Sequence, residues 1–181
     1  LLSRETIHPF VVGGDIGCGM TFWRTDVLTR KAKAERWANT VDGLESPWGG
    51  DVHDWLASSE LEPGEFDASM GTIGGGNHFA ELQAVESVVD DEVFRSAGLE
   101  SDRLFLLVHS GSRGLGDSIL RSHVDRHRDA GVAVDSAAGA DYLSRHDSAV
   151  RWAAANRRLI ARRFAEQIRA DVAEVWNGCH N

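Results

Sequence analysis

A stretch rich in glycine, residues 71–81 (GTIGGGNHFAE), most constrains how this chain can fold. Its three consecutive glycines allow the backbone to approach another group closely and to take angles that other residues avoid. The polar pair Asn77 and His78 follows, and residues 79–85 then alternate between apolar and polar side chains. That alternation predicts a half-buried strand leaving the loop. Because functional residues often lie on loops at strand ends, the stretch predicts a site here.

The first glycine-rich turn of the chain, residues 13–20 (GGDIGCGM), holds an aspartate and a cysteine. Four glycines in eight residues require a tightly folded backbone that aims Asp15 and Cys18. A plain turn with a buried cysteine is the alternative, since free cysteine often behaves as a small hydrophobe. The apolar residues 10–12 (FVV) predict a short strand before the turn.

A third glycine-rich turn follows the apolar run 103–108 (RLFLLV), which is short enough for a buried strand. The turn comprises residues 109–116 (HSGSRGLG), and a helix is predicted over 117–129. Such a turn at a helix start presents N–H groups to an anion, and Arg113 would add a bidentate phosphate partner. A structural turn is the alternative. The glycine spacing matches neither a Walker loop nor the dinucleotide fingerprint.

Helix-forming residues predict scaffold over 26–41, 51–58 and 147–176. On the last helix, at about 100° per residue, five apolar side chains fall on one side and four arginines form a second narrow stripe. The apolar residues are Ile160, Phe164, Ile168, Val172 and Val175, and the arginines are Arg151, Arg158, Arg162 and Arg169. We interpret the arginine stripe as a solvated face, with a track for a phosphate backbone as the alternative.

Three histidines outside the glycine-rich turns are expected on the surface. His53 lies in the short predicted helix, and His123 and His127 are one helical turn apart. The last two could clamp a metal ion, but the arginines around them favour an exposed helix face.

Composition indicates an ordinary globular domain: 181 residues, 42% hydrophobic and 26% charged. The net charge of −9 argues against a protein coated in positive charge for nucleic acid, although a local basic surface can coexist with it. The sequence has no apolar run of about 20 residues and no leader pattern, so we expect a cytoplasmic protein. In that compartment Cys18 and Cys179 are expected to be free or metal-bound rather than paired.

Five residues on the turns and strand ends make a set of metal ligands: Asp15, Cys18, His78, His109 and His180. A thiolate, a carboxylate and three imidazoles suffice for one catalytic metal with an open position, or for two metals that share a bridging ligand. Judged by the softness of these ligands, zinc is the most favoured metal, followed by iron, cobalt or manganese.

Three motifs together strongly resemble the RtcB family of RNA ligases. They are residues 15–20 (DIGCGM), residues 71–79 (GTIGGGNHF) with Glu81, and residues 109–114 (HSGSRG). The resemblance covers residues 13–181. Its last part is residues 179–181 (CHN), which are similar to a later Cys-His-(His)-Asn element of the family and one histidine shorter.

The resemblance implies an α+β fold of mixed sheets with helices, in which the site lies on glycine-rich turns at strand ends. It implies one domain, residues 1–181, as the metal-binding portion of a longer family domain. The activity implied depends on Mn(II) and GTP and joins RNA ends with a 2′,3′-cyclic phosphate or 3′-phosphate to 5′-hydroxyl ends, as in tRNA splicing and RNA repair. The five ligands above then bind two Mn(II) ions in place of zinc, with Cys18 as the bridge.

Further roles also follow from the resemblance. Asn77, Phe79 and Glu81 match positions that line the guanylate site, and Arg113 lies where an RNA or phosphate contact would be. The histidine that carries guanylate in the family belongs to a motif expected beyond Asn181, and an upstream Pro-Asp-Val-His-like segment is missing. We therefore expect a fragment, or a divergent paralogue with a release-factor-like partner.

These 181 residues alone are expected to bind metal without forming the covalent guanylate, so GMP attached to the chain would contradict that expectation. A non-catalytic metal- or RNA-binding module and a metal-dependent phosphoesterase are the alternatives to a ligase.

Overall fold

The computed structural model describes residues 4–180 and has the α+β fold that the sequence predicts. Four strands form the main sheet, in the order β3 (Phe79–Ala84), β4 (Arg103–Ser110), β2 (Gly19–Leu28) and β6 (Val172–Cys179). A second sheet pairs β1 (Thr6–Ile7) with β5 (Val132–Ala133). Every strand pair within residues 4–180 is antiparallel, whereas mixed sheets were expected. Asn181, the end of the predicted CHN element, lies outside the described residues.

Six α-helices connect these strands, and the longest crosses the main sheet. They are α1 (Pro9–Val12), α2 (Ala34–Ala38), α3 (Val52–Ser58), α4 (Asp91–Ser96), α5 (Gly114–His127) and α6 (Ala137–Ile168). The core between α6 and the sheet includes Ile160, Phe164, Leu106 and Val108. Removing each such side chain from water contributes roughly 1.5–3 kcal/mol, which fixes α6 across the sheet. None of the helices within residues 4–180 is both long enough and apolar enough to cross a membrane.

Several predicted elements are confirmed. The strands after the second glycine-rich stretch and before the third glycine-rich turn are β3 and β4, and the helix predicted over 51–58 is α3. Helix α5 starts at Gly114, three residues before the predicted start, and α6 starts at Ala137, ten residues before its predicted start. Ser136 caps α6 because its Oγ accepts a bond from the N–H of Gly139 at 3.0 Å.

Three predictions of secondary structure are wrong. Residues 10–12 belong to a helical turn because Pro9, at its first position, presets a helical φ. The helix predicted over 26–41 is reduced to α2, because β2 continues to Leu28 between two partner strands. The helix predicted to reach residue 176 ends at Ile168, where Arg169 takes a left-handed φ of 58° and the chain turns back as β6.

Candidate metal centre

The register of the main sheet brings four strand ends together at one edge. Gly19, the first residue of β2, lies opposite Ser110 on β4 and Cys179 on β6. Phe79, the first residue of β3, lies opposite His109. Residues that directly precede β2 and β3 therefore meet residues at the ends of β4 and β6.

Three donor atoms converge at this edge. The Sγ of Cys18 lies 3.1 Å from Nε2 of His109 and 3.6 Å from Nε2 of His78. The three donors lie within 4.8 Å of one another. A carboxylate oxygen of Asp15 lies 2.9 Å from Nε2 of His78, which places a fourth donor beside them. The structure thus brings four of the five sequence-predicted ligands together.

Backbone carbonyls hold the Nδ1 atoms of both histidines. Nδ1 of His78 lies 3.2 Å from the carbonyl oxygen of Ile73, and Nδ1 of His109 lies 3.0 Å from that of Asn77. A carbonyl oxygen can only accept, so each Nδ1 carries the proton. Nε2 of His109 then turns a lone pair towards Cys18, the arrangement found in histidines that bind metals, whereas Nε2 of His78 donates a hydrogen bond to the Asp15 carboxylate.

Electrostatics favour a cation among these donors. Burial opposes ionisation of Asp15, but the hydrogen bond and charge of His78 lower the pKa of its carboxyl below the usual value. Burial, followed by the charge of Asp15, raises the pKa of the Cys18 thiol to about 12. Burial lowers the pKa of His109 and favours the neutral imidazole that metals bind. A metal ion among these donors would replace the protons on the Cys18 thiol and on Nε2 of His78.

His180 lies beside this group rather than within it. Its ring centroid is 5.1 Å from that of His109, and its backbone N–H donates to the carbonyl oxygen of Cys18 at 3.0 Å. The close donor set among residues 4–180 consists of Cys18, His78 and His109. His180 is thus in reach of the centre, and its role as a ligand stays a prediction.

Asn156, a buried residue on α6, joins two of the site loops. Its Oδ1 accepts from the N–H of Gly71 at 2.7 Å, and its Nδ2 donates to the carbonyl oxygens of Thr72 and Gly111, each at 3.2 Å. Nδ2 also lies 3.2 Å from Oγ of Ser110. One amide therefore ties the stretch that carries His78 to the turn after β4.

Arg157, the next residue, ties the remaining segments together. Its Nη1 donates to the carbonyl oxygens of Gly17 at 2.7 Å and Ser110 at 2.9 Å, and its Nη2 donates to Oδ1 of Asn177 at 2.8 Å. These acceptors lie next to Cys18, next to His109 and near the end of β6. Burial lowers the pKa of Arg157 to about 10, so the guanidinium stays charged at neutral pH.

Sequence reasoning missed both of these residues, although a signal for one was present. Asn156 lies four residues before Ile160 and so continues the apolar side of the predicted helix. A polar residue on an otherwise apolar helix face has to find buried hydrogen-bond partners. The sequence offers no comparable signal for Arg157, because it stands among other arginines.

Arg113 packs over the second glycine-rich stretch. Its Nε donates to Oγ1 of Thr72 at 3.2 Å, and its guanidinium occupies the space beside the Cα of Gly74. Gly74 has a φ of 93°, which side-chain-bearing residues rarely adopt. The glycine therefore permits both the loop path and the position of Arg113.

Replacing Gly74 by alanine is expected to lower the free energy of unfolding by roughly 1–2 kcal/mol, through the left-handed backbone. The new methyl group would also overlap the guanidinium of Arg113 and push it from Thr72. Chemical denaturation measures the first effect. Gly75→Ala is the matched control, since Gly75 has open space and no positive φ. Equal losses in both variants would contradict this role of Gly74.

Comparison with known proteins now bears on this site. The family model described as tRNA-splicing ligase RtcB matches residues 51–181. The chain belongs to the RtcB family. The family resemblance that the motifs indicate is therefore confirmed, and the matched range includes His78, His109 and His180.

Curated relatives agree with this family assignment. RNA-splicing ligase RtcB2 of Escherichia coli is 41% identical over 99% of this chain and 47% of its own length. The tRNA-splicing ligase RtcB of Nanoarchaeum equitans is 29% identical over 77% of this chain and 32% of its own. RNA-splicing ligase RtcB of Mycobacterium tuberculosis is 32% identical over 62% of this chain and 30% of its own length. The chain spans about half the length, or less, of these RtcB relatives.

The residues predicted to line the guanylate site lie before and along the first part of β3, and Asn77 and Phe79 contact His109. The ring of Phe79 packs edge-on against His109, with centroids 5.5 Å apart. Asn77 and Glu81 are exposed, and the Glu81 carboxylate accepts a bond from Gln83 at 2.8 Å. The contact of Asn77, Phe79 and Glu81 with guanylate stays a prediction.

The histidines outside the site have structural surroundings. His53 is exposed, as predicted. His123 is buried, contrary to the predicted exposed face, because its Nε2 bonds the carbonyl oxygen of Ala130 at 2.9 Å and its ring packs beside Tyr142. His127 is half-buried, with its ring 5.1 Å from that of His123.

The predicted arginine stripe does not form one continuous track. Arg158 pairs with Glu174 at 2.7 Å, and Arg162 pairs with Glu166 at 2.8 Å. Arg169 lies beyond the end of α6. The solvated-face interpretation therefore fits Arg158 and Arg162, whose side chains are about half exposed.

Proposed function

We propose that this chain, as one domain over residues 1–181, forms the metal-binding part of an RNA ligase. The ligase would use Mn(II) and GTP to join a 2′,3′-cyclic phosphate or 3′-phosphate end of RNA to a 5′-hydroxyl end. Convergence of the Asp15, Cys18, His78 and His109 donors carries the proposal. The curated relatives, named RNA-splicing or tRNA-splicing ligases, support RNA as the substrate class, with tRNA halves or cleaved RNA as the proposed forms.

In this proposal the four converging donors and His180 would hold two Mn(II) ions, and the Cys18 thiolate would contribute to binding both. Bound Mn(II) would neutralise phosphate oxygens and polarise the phosphorus that is attacked. The carboxylate of Asp15 suits a hard ion such as manganese, whereas a site of thiolates and imidazoles alone would favour zinc. Ile73 and Asn77 hold the Nδ1 atoms of the two rings, so Nε2 is the atom of each histidine that would bind an ion.

Residues around the centre would position the phosphate-bearing partners. Nη1 and Nη2 of Arg113 make no hydrogen bond with residues 4–180, because only its Nε is engaged, by Thr72. They are free to bind a phosphate at the amino end of α5, where unpaired N–H groups also favour an anion. Asn77, Phe79 and Glu81 would line the space for guanylate beside the metals. The guanylate-carrying histidine is expected outside this chain.

The intact protein, purified from its own cells, provides the test. Its mass, its metal content and its ability to seal RNA with the proposed ends should be measured with and without Mn(II) and GTP. We expect metal-bound protein that ligates only when both are present. RNA cleavage without GTP would indicate a phosphoesterase, and metal or RNA binding without either reaction would indicate a non-catalytic module. A cytoplasmic location and a release-factor-like or repair partner remain predictions.

A further inference from the structure

A pocket of about 730 Å³ lies where β2 and α6 end, far along both elements from the metal centre. Its lining includes five cationic residues and no carboxylate. We call it the basic pocket, and its cations are Arg30, Lys31, Lys33, Arg36 and Arg169. The chain has 19 basic residues against 28 acidic ones and a net charge of −9. Five of the 19 basic residues therefore lie together in this pocket, where the local electrostatic potential is positive although the net charge of the chain is negative.

The cations of the basic pocket have no acidic partners: none of them takes part in an ion pair within residues 4–180. On α6, in contrast, Arg158 and Arg162 are each paired with a glutamate. Unpaired cations held close together repel one another, and binding a polyanion relieves that repulsion. The basic pocket therefore favours a ligand with several negative charges.

Trp37 adds an aromatic surface to the basic pocket. It lies on α2 directly after Arg36, lines the pocket and is half-buried, because it packs against the core cluster of α6 and the sheet. Cations beside an exposed part of an indole are the combination that binds single-stranded nucleic acid, with phosphates on the cations and a base on the ring.

We propose that the basic pocket binds the backbone of a single-stranded segment of the RNA substrate and stacks one base on Trp37. This inference rests on the proposed function, since it assigns a second contact for the same RNA. A single phosphate or nucleotide would engage only part of a cation set contributed by three segments of chain: residues 30–33, Arg36 and Arg169.

The distance to the metal centre sets the length of RNA required. Asn156 touches the site loops, and Ile168 lines the basic pocket twelve residues later on the same helix. At 1.5 Å per residue this is about 18 Å. A stacked strand that rises about 3.4 Å per nucleotide covers it with roughly five nucleotides. RNA ends shorter than that should reach the metal centre without touching the basic pocket.

The test measures binding of the full chain to a labelled, unreactive ten-nucleotide single-stranded RNA by fluorescence anisotropy, over a range of salt concentrations. The Lys33→Gln/Arg36→Gln variant should bind roughly 20-fold more weakly at 0.1 M salt. Its plot of log affinity against log salt should be shallower by about 1.4, since each phosphate contact on a single strand contributes about 0.7. A three-nucleotide RNA should bind the unaltered chain more weakly than the ten-nucleotide RNA, because it cannot reach both the basic pocket and the metal centre, and excess GTP should not displace the longer RNA.

Arg95→Gln is the control, because Arg95 is exposed on α4 and makes no ion pair within residues 4–180. Mn(II) affinity and thermal stability should be the same in all these proteins. Unchanged RNA affinity in the double variant, an equal loss in Arg95→Gln, or no binding by the unaltered chain would each overturn the inference. Full RNA affinity in the double variant would contradict the RNA contact at the basic pocket but not the proposed ligase function. Failure of the unaltered chain to bind metal would count against the proposed function alone.

Discussion

Replacing Arg157 by methionine is expected to lower the free energy of unfolding by about 3–5 kcal/mol. The side chain is 1% exposed, and its guanidinium is the partner of the carbonyl oxygens of Gly17 and Ser110 and of Oδ1 of Asn177. Methionine fills much of the same volume but donates no hydrogen bond. Buried acceptors left without a donor cost about 1–3 kcal/mol each, which accounts for the size of the effect.

Urea denaturation of the purified chain measures this loss, and Arg158→Met is the matched control. Arg158 is the next residue on α6, and its exposed ion pair with Glu174 should contribute no more than about 1 kcal/mol. The metal affinity of Arg157→Met should also fall, because Gly17 and Ser110 adjoin Cys18 and His109. If the two variants lose equal stability, Arg157 does not hold the site segments as described.

Replacing Cys18 by alanine is expected to weaken Mn(II) binding at least about 100-fold. Removing a group that only supports a metal ligand typically costs 10–100-fold, and Cys18 presents its Sγ directly to both His78 and His109. Isothermal titration calorimetry of the metal-free chain measures the affinity. Loss of the thiol should not prevent folding, because its neighbours remain held by Asn156 and Arg157.

A thermal measurement gives an independent readout of the same change. Mn(II) at 100 times its Kd should stabilise the unaltered chain by about 2.7 kcal/mol, which raises Tm by roughly 5–10 °C in a protein of this size. The Cys18→Ala protein should show almost none of this increase. Cys179→Ala, which alters the other free cysteine at an exposed position, should retain it. A full metal-induced shift in Cys18→Ala would exclude Cys18 as a ligand.

The sequence predicted the loops of the site better than the elements between them. Asp15, Cys18, His78 and His109 were recognisable because each stands in or at the edge of a glycine-rich turn, a local pattern that needs no knowledge of the fold. The helix prediction for residues 172–176, which belong to β6, is wrong because Val172 and Val175 also fit the helical period. Pairing with β2 decides their structure, and that interaction joins residues far apart in the chain.

Positions that act through buried hydrogen bonds were the least predictable part of the site. Arg157 resembles its neighbours Arg158 and Arg162 in sequence, yet it alone points into the interior among the three. What separates them is the direction of each side chain around α6 relative to the sheet. Composition and periodicity rank all three as surface residues, since arginine is rarely buried.

The spread of the donors along the chain has a consequence for folding. Asp15 and Cys18 precede the first long strand, His109 is the next-to-last residue of β4, and His180, a predicted ligand, follows β6. No short peptide from this protein can form such a centre, so the ion has to arrive after the sheet has assembled from distant segments. A bound ion would therefore link segments that are far apart in the sequence. Its release should therefore accompany global unfolding, and the metal should slow the opening of the whole domain.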